Sequence, residues 1–166
     1  MTDQTREEPR IENRQAQAYA AIKSLATMEE LGTVLPALHP QVRDWLAQRG
    51  VKPTGAPFFK YNVIDMERQL EVEVGWPIPT LLDGDERVLV GELPSGRYAV
   101  AVHHGHPDGL IDAVRALLDW ADAQGLAWDT TTVPEGDQWG CRLETYLTDS
   151  PDMDTWDTEL AFRLLG

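Results

Sequence analysis

One order of signals occurs twice in this chain, and that duplication constrains the fold more than any single motif. The first copy begins at Tyr19-Ala20-Ala21-Ile22, passes through a helical pattern and closes at Trp45-Leu46-Ala47-Gln48-Arg49-Gly50-Val51. The second begins at Tyr98-Ala99-Val100-Ala101, passes through a helical pattern and closes at Trp120-Ala121-Asp122-Ala123-Gln124-Gly125-Leu126. Strand-like material follows each copy: Phe58 to Asp65 and Gln69 to Pro77 in the first half, Gln138 to Thr148 and Thr155 to Leu165 in the second. The pseudo-repeats cover about 11–80 and 87–166.

Spacing carries the helical assignments. Leu31, Leu35, Leu38, Val42, Trp45 and Leu46 recur at steps of three or four, as do Leu110, Val114, Leu117, Leu118 and Ala121, so each helix has one apolar stripe to bury. Gly50 and Gly125 stand where a left-handed cap ends a helix, and His106-Pro107-Asp108 fits a helix start. Pro36 and Pro40 must kink the first helix or split it in two, with a break expected near His39-Pro40. A strand over Arg87 to Leu93 leads through Pro94-Ser95-Gly96 into another over Arg97 to His103, and Leu81 to Glu86 links the halves. This order favours an α+β fold, with helices gathered on one face of a mainly antiparallel sheet. Residues 1–10 are expected to be a flexible N-terminus and 11–166 a single domain.

Charge then removes whole classes of function. Fourteen Lys and Arg against 28 Asp and Glu leave a net charge of −14, a field that repels phosphate backbones and draws cations or basic protein partners. Arg6, Arg10 and Arg14 are interleaved with Glu7, Glu8 and Glu12 and form no basic patch, so direct nucleic-acid binding is not expected. No apolar run has the length of a membrane span, and the charged N-terminus has no signal-peptide core, which makes the cytoplasm the expected location. The single Cys141 cannot form an internal disulfide and reads as a small core residue.

The motifs and their order resemble the GyrI-like small-molecule-binding family, which includes effector-binding domains of AraC-type and MerR-type transcription regulators. The resemblance rests on Leu93-Pro94-Ser95-Gly96-Arg97-Tyr98-Ala99-Val100 with His104-Gly105, on Leu118-Asp119-Trp120, on Leu143-Glu144-Thr145-Tyr146-Leu147-Thr148-Asp149, and on Trp156-Asp157-Thr158-Glu159-Leu160. It implies duplicated β-α-β-β units forming one curved sheet, two helices on its convex face and a ligand cleft in the opposite, concave face. It also implies that Glu144 lies inside that cleft. A DNA-binding helix-turn-helix module is not present in the sequence, so the chain is similar to stand-alone members. Their roles include ligand sequestration, binding to proteins such as DNA gyrase and hydrolysis of reactive small molecules.

Strand alternation independently puts Arg142, Glu144, Tyr146 and Thr148 on one face, and Cys141, Leu143, Thr145 and Leu147 on the other, where they are expected to meet the helices. Tyr61, Trp76, Trp128, Trp139 and Tyr146 are the aromatic candidates around Glu144. Rings around a buried carboxylate suit a flat or cationic guest. Trp45 and Trp120 belong to the helix stripes and read as core. Arg142 is positioned to pair with Glu144 and cancel its charge, and His104 is a candidate polar contact at the cleft edge. His103, His104 and His106 do not converge, because neighbours in a strand point to opposite faces, so no metal site is expected; no cofactor is expected either. The leading expectation is capture of an amphiphilic, aromatic or cationic small molecule. The alternatives are a hydrolase with Glu144 as general base, or a module that binds a basic DNA-processing protein.

Overall fold

The structure, a computed structural model, describes residues 8–166. The expected flexible segment therefore lies mostly outside the described residues, and its last member, Arg10, opens a strand. Ten strands form one sheet: β1 (Arg10–Arg14), β2 (Gln17–Ala26), β3 (Phe58–Ile64), β4 (Leu70–Pro77), β5 (Leu89–Leu93), β6 (Gly96–His104), β7 (Thr130–Val133), β8 (Gly136–Trp139), β9 (Arg142–Tyr146) and β10 (Asp157–Arg163). Three α-helices accompany them: the one-turn α1 (Glu30–Thr33), α2 (Leu38–Gln48) and α3 (Leu110–Ala123). The strands lie in the order β1-β6-β10-β9-β3-β4-β2-β5, with β8 also paired to β3 and to β7.

That order shows the duplication in space. β6-α3-β9-β10 repeats β2-α2-β3-β4, and the two sets meet where β9 pairs with β3. The edge strands are exchanged, since β1 pairs with β6 and β5 pairs with β2. Only Gln15 and Ala16 join β1 to β2, and only Pro94 and Ser95 join β5 to β6, although each pair is six strand positions apart. A flat sheet would separate them by about 29 Å, whereas two linking residues reach only about 11 Å. The sheet must curl until its ends approach.

It curls around Tyr19, Phe58, Leu93, Tyr98, Val100 and Leu143, a core cluster that contains no helical residue. The outer face carries the helices. Val42, Trp45 and Leu46 of α2 pack on Ala20, Ile78 and Val88 over one wing, and Ala113 and Leu117 of α3 pack on Ala99, Ala101, Leu160 and Phe162 over the other. Each helix ends at a glycine with φ of 71°, Gly50 and Gly125, as their positions in the repeat predict.

The α+β class, the curved antiparallel sheet and the helices on one face are as the sequence led us to expect. The side of the cleft is not. Glu144 pairs directly with Leu160 and Phe59, and residues opposite one another across an antiparallel pair share a face. Leu160 packs under α3, so Glu144 faces the helix side and Leu143 with Cys141 fills the inner core. Alternation along β9 was correct, but parity alone does not say which face the helices cover.

Smaller corrections have local causes. The first helix breaks in the 3-10 turn Leu35–Ala37, not at His39-Pro40, because Pro40 falls in the first turn of α2 where its missing N–H has no partner to lose. The expected strand Gln138 to Thr148 divides at Gly140, whose backbone N–H donates to the Asp129 carbonyl at 2.8 Å. A Cβ there would come within 1.8 Å of Asp129 Oδ2.

Candidate functional site

α2 covers β4 and β2 while α3 covers β6 and β10, which leaves the central strands β9 and β3 as a floor between them. Above this floor lies a cleft of about 1690 Å³, walled by Pro36, His39 and Arg43 on one side and by Leu110, Val114 and Leu118 on the other. Its volume exceeds the roughly 300–1000 Å³ of ordinary small-molecule pockets.

Glu144 is on the floor and only 8% exposed. Tyr61 donates its hydroxyl to Glu144 Oε2 at 2.9 Å, and Tyr146 donates to the same oxygen at 2.5 Å. Burial raises the proton affinity of the carboxyl; the hydrogen bonds from Tyr146 and Tyr61, then Arg142 and His103, pull the other way without cancelling it. Burial also drives both phenols well above their usual range, reinforced by the adjacent carboxylate. They therefore stay protonated and act as donors.

An aromatic wall surrounds this group. His39 stacks on Phe59 with ring centroids 5.3 Å apart, and meets Trp76 at 6.0 Å and Tyr146 at 6.1 Å edge to face. Its Nε2 donates to the Phe58 carbonyl at 2.9 Å, and burial lowers its pKa, so the ring is held neutral in a single tautomer. Trp76 is fixed by an indole N–H that donates to the His39 carbonyl at 2.8 Å. Trp156 closes the far side, 6.3 Å from Tyr146.

Of the side chains singled out in the sequence, Glu144, Tyr146, Trp139, Tyr61, Trp76 and Arg142 line this cleft. Trp128 does not; it lies behind the wall, 5.6 Å from Trp139 and 5.9 Å from Phe162. His104 also lies outside, because its neighbour His103 takes the helix-side position opposite Thr158, and His104 Nδ1 engages Asp157 at 2.5 Å. Arg142 does not form the ion pair with Glu144 that would have cancelled its charge. Its guanidinium lies over the rings of Phe162 and Trp139, at 4.5 and 4.8 Å. His39, Phe59 and Trp156 are among the lining residues that sequence reasoning missed. Phe59 was recoverable from its alternation with Tyr61, whereas His39 depends on where the helix breaks.

Among the charged residues of the lining, carboxylates outnumber cations: Asp65, Asp108, Asp119, Asp137 and Asp149 join Glu144 against Arg43, Arg115 and Arg142. Among the described residues, no group of three His, Cys, Asp or Glu side chains is placed to hold a metal ion, and no helix is long and apolar enough to cross a membrane.

Residues 7–165 match the model of a family described as the GyrI-like small molecule binding domain. Among curated proteins none matches the sequence. The C-terminal domain of EcmrR superposes with a TM-score of 0.73 at 14% identity, over 95% of this chain and 97% of that one. The chain spans 57% of the EcmrR chain seen in a complex with DNA. SAV2435 bound to tetraphenylphosphonium gives a TM-score of 0.65 at 11% identity, over 96% and 95% of the two chains. A hydrolase from Listeria innocua gives 0.64 at 12%, over 95% and 92%. At such identities these likenesses concern the fold.

Proposed function

Since the chain belongs to the GyrI-like small molecule binding family, we propose that its guest is an aromatic, positively charged molecule received in the cleft between α2 and α3, with Glu144 as counter-charge. One observation carries this reading: a carboxylate 8% exposed, held by two phenols and, among the described residues, by no ion pair, on the floor of an aromatic cleft. A charge buried this way is costly unless something positive joins it. The ring faces of His39, Phe59, Trp76, Tyr146 and Trp156 add cation-π attraction of about 0.5–2 kcal/mol per good contact, and the acidic rim with the −14 field favours cation entry. The tetraphenylphosphonium held by SAV2435 is the natural first probe.

Titration of the chain with tetraphenylphosphonium, followed by tryptophan fluorescence, should give micromolar affinity. Glu144→Gln, which still accepts from both phenols, should weaken it about a hundredfold. Equal affinity in the two proteins would overturn the proposal.

A hydrolytic role is the second reading, favoured by the raised proton affinity of Glu144, which suits a general base, and by the likeness to the Listeria innocua hydrolase. A reactive electrophilic guest recovered unchanged after saturation binding would exclude it.

A further inference from the structure

Arg142 lines the same cleft as Glu144, and no partner within the described fold uses its charge. Its Nε is buried without a hydrogen-bond partner among the described residues. Other half-buried cations are paired: Lys60 with Glu73 at 3.4 Å, and Arg163 with Asp129 at 2.7 Å. Arg142 has no such ion pair. It rests instead on the rings of Phe162 and Trp139, which Trp128 braces from behind. Burial pulls its pKa below that of an ordinary arginine, opposed by Tyr61, Glu144 and Asp137, yet a guanidinium starts so high that it remains charged at neutral pH. A guanidinium held over rings spends none of its N–H groups on them, which leaves its planar fork available to two acceptor oxygens at once.

Building on the reading of Glu144 as a cation receptor, we propose that Arg142 is the second pole of the site and takes a carboxylate or similar planar anion carried by the same guest. The preferred ligand class is then an aromatic zwitterion. Arg142 and Glu144 stand two residues apart on one face of β9, about 7 Å along the strand, a distance that one or two fused rings span. The surrounding field supports a single amphoteric guest over two separate ions. A net charge of −14 repels a free anion, whereas an anionic group attached to a cation enters without that penalty. A guest with positive charge only must accept repulsion from Arg142.

Rhodamine B and its ethyl ester test this, because both carry the xanthylium cation and only the acid carries a carboxylate. Titrated against the full chain at neutral pH by fluorescence anisotropy, the acid should bind about tenfold more tightly, equivalent to about 1.4 kcal/mol. Arg142→Gln should bring the acid-to-ester ratio to one, and Arg142→Lys, which restores a cation without the planar fork, should recover part of it. Equal binding of acid and ester by the unmodified chain, or a ratio that survives Arg142→Gln, overturns the zwitterion assignment and leaves Glu144 as cation receptor. If Glu144→Gln weakens neither dye, or if neither dye binds the unmodified chain, both assignments fall.

Discussion

Cation binding should strengthen as pH rises, and Glu144 should be the group responsible. Burial raises its proton affinity more than the phenols, Arg142 and His103 lower it, so the free site holds a proton into a range where an exposed glutamate has already lost it. A cationic guest requires the carboxylate. Below the folded pKa each binding event must expel that proton, and affinity climbs by up to tenfold per pH unit; above it the curve is flat. Two unit charges about 5 Å apart at an effective dielectric of about 20 attract by roughly 3 kcal/mol, which sets the full rise at about a hundredfold. Glu144→Gln should show the weak end of this curve at every pH, since its amide oxygen can still accept from Tyr61 and Tyr146. Isothermal titration with tetraphenylphosphonium between about pH 4 and about pH 8, repeated in buffers of different ionisation enthalpy, reads both affinity and proton release. A flat profile in the unmodified chain, or an equal rise in Glu144→Gln, would refute the reasoning.

The same group leaves its mark on the stability of the free protein. Because the folded pKa is raised, the native state keeps a proton that the unfolded chain releases, so stability falls as pH climbs from the ordinary glutamate range to the folded value. Urea denaturation should find Glu144→Gln gaining on the unmodified chain across that window, and a saturating cation should reverse the order.

Three further substitutions test the framework around the site. Thr158→Val should raise stability by about 1 kcal/mol in urea denaturation, because the Thr158 hydroxyl is buried without a partner among the described residues; a loss would show that the hydroxyl is satisfied. Gly140→Ala should cost about 1–3 kcal/mol by forcing Asp129 aside, and less when Asp129→Ala is already present. Glu73→Ala should cost about 3 kcal/mol, because Glu73 accepts from Tyr19 and is paired with Lys60; an unchanged urea midpoint would show that this inner network adds nothing.

The duplication, both principal helices and seven of the ten strands were legible because their apolar residues repeat with a clear period. β1 was not, since Arg10, Glu12 and Arg14 make it look like a charged tail. It is held by pairing with β6 and by the Arg14–Glu159 ion pair at 2.9 Å, both contacts with residues remote in sequence. β7 carries three threonines, exposed along Thr130–Thr132, and has no apolar alternation to reveal it. Tyr61, Arg142, Glu144 and Tyr146 were found together because they lie on the central strands β3 and β9, with Trp76 on β4 and Trp139 on β8 beside them. The side on which they gather was not readable, because it depends on how a sheet with exchanged edges curls.

That exchange also accounts for where the site lies. β3 and β9 are corresponding strands of the two repeats, and Phe59 pairs directly with Glu144 at their junction. Directly paired side chains stand about 5 Å apart at Cβ, so the duplicated scaffold sets these two side chains next to each other on the floor. Two glutamates there would repel and share one proton, and two phenylalanines would leave nothing to hold a charge. With Phe59 on one side and Glu144 on the other, the junction offers a ring face beside a carboxylate. The repetition of the fold builds the floor, and the difference between its two copies gives that floor its chemistry. Phe59→Glu should then push the Glu144 titration to higher pH, whereas Phe59→Leu should reduce cation affinity by only the roughly 0.5–2 kcal/mol of one ring. A larger loss in Phe59→Leu would mean that Phe59 positions Glu144 instead of contacting the guest.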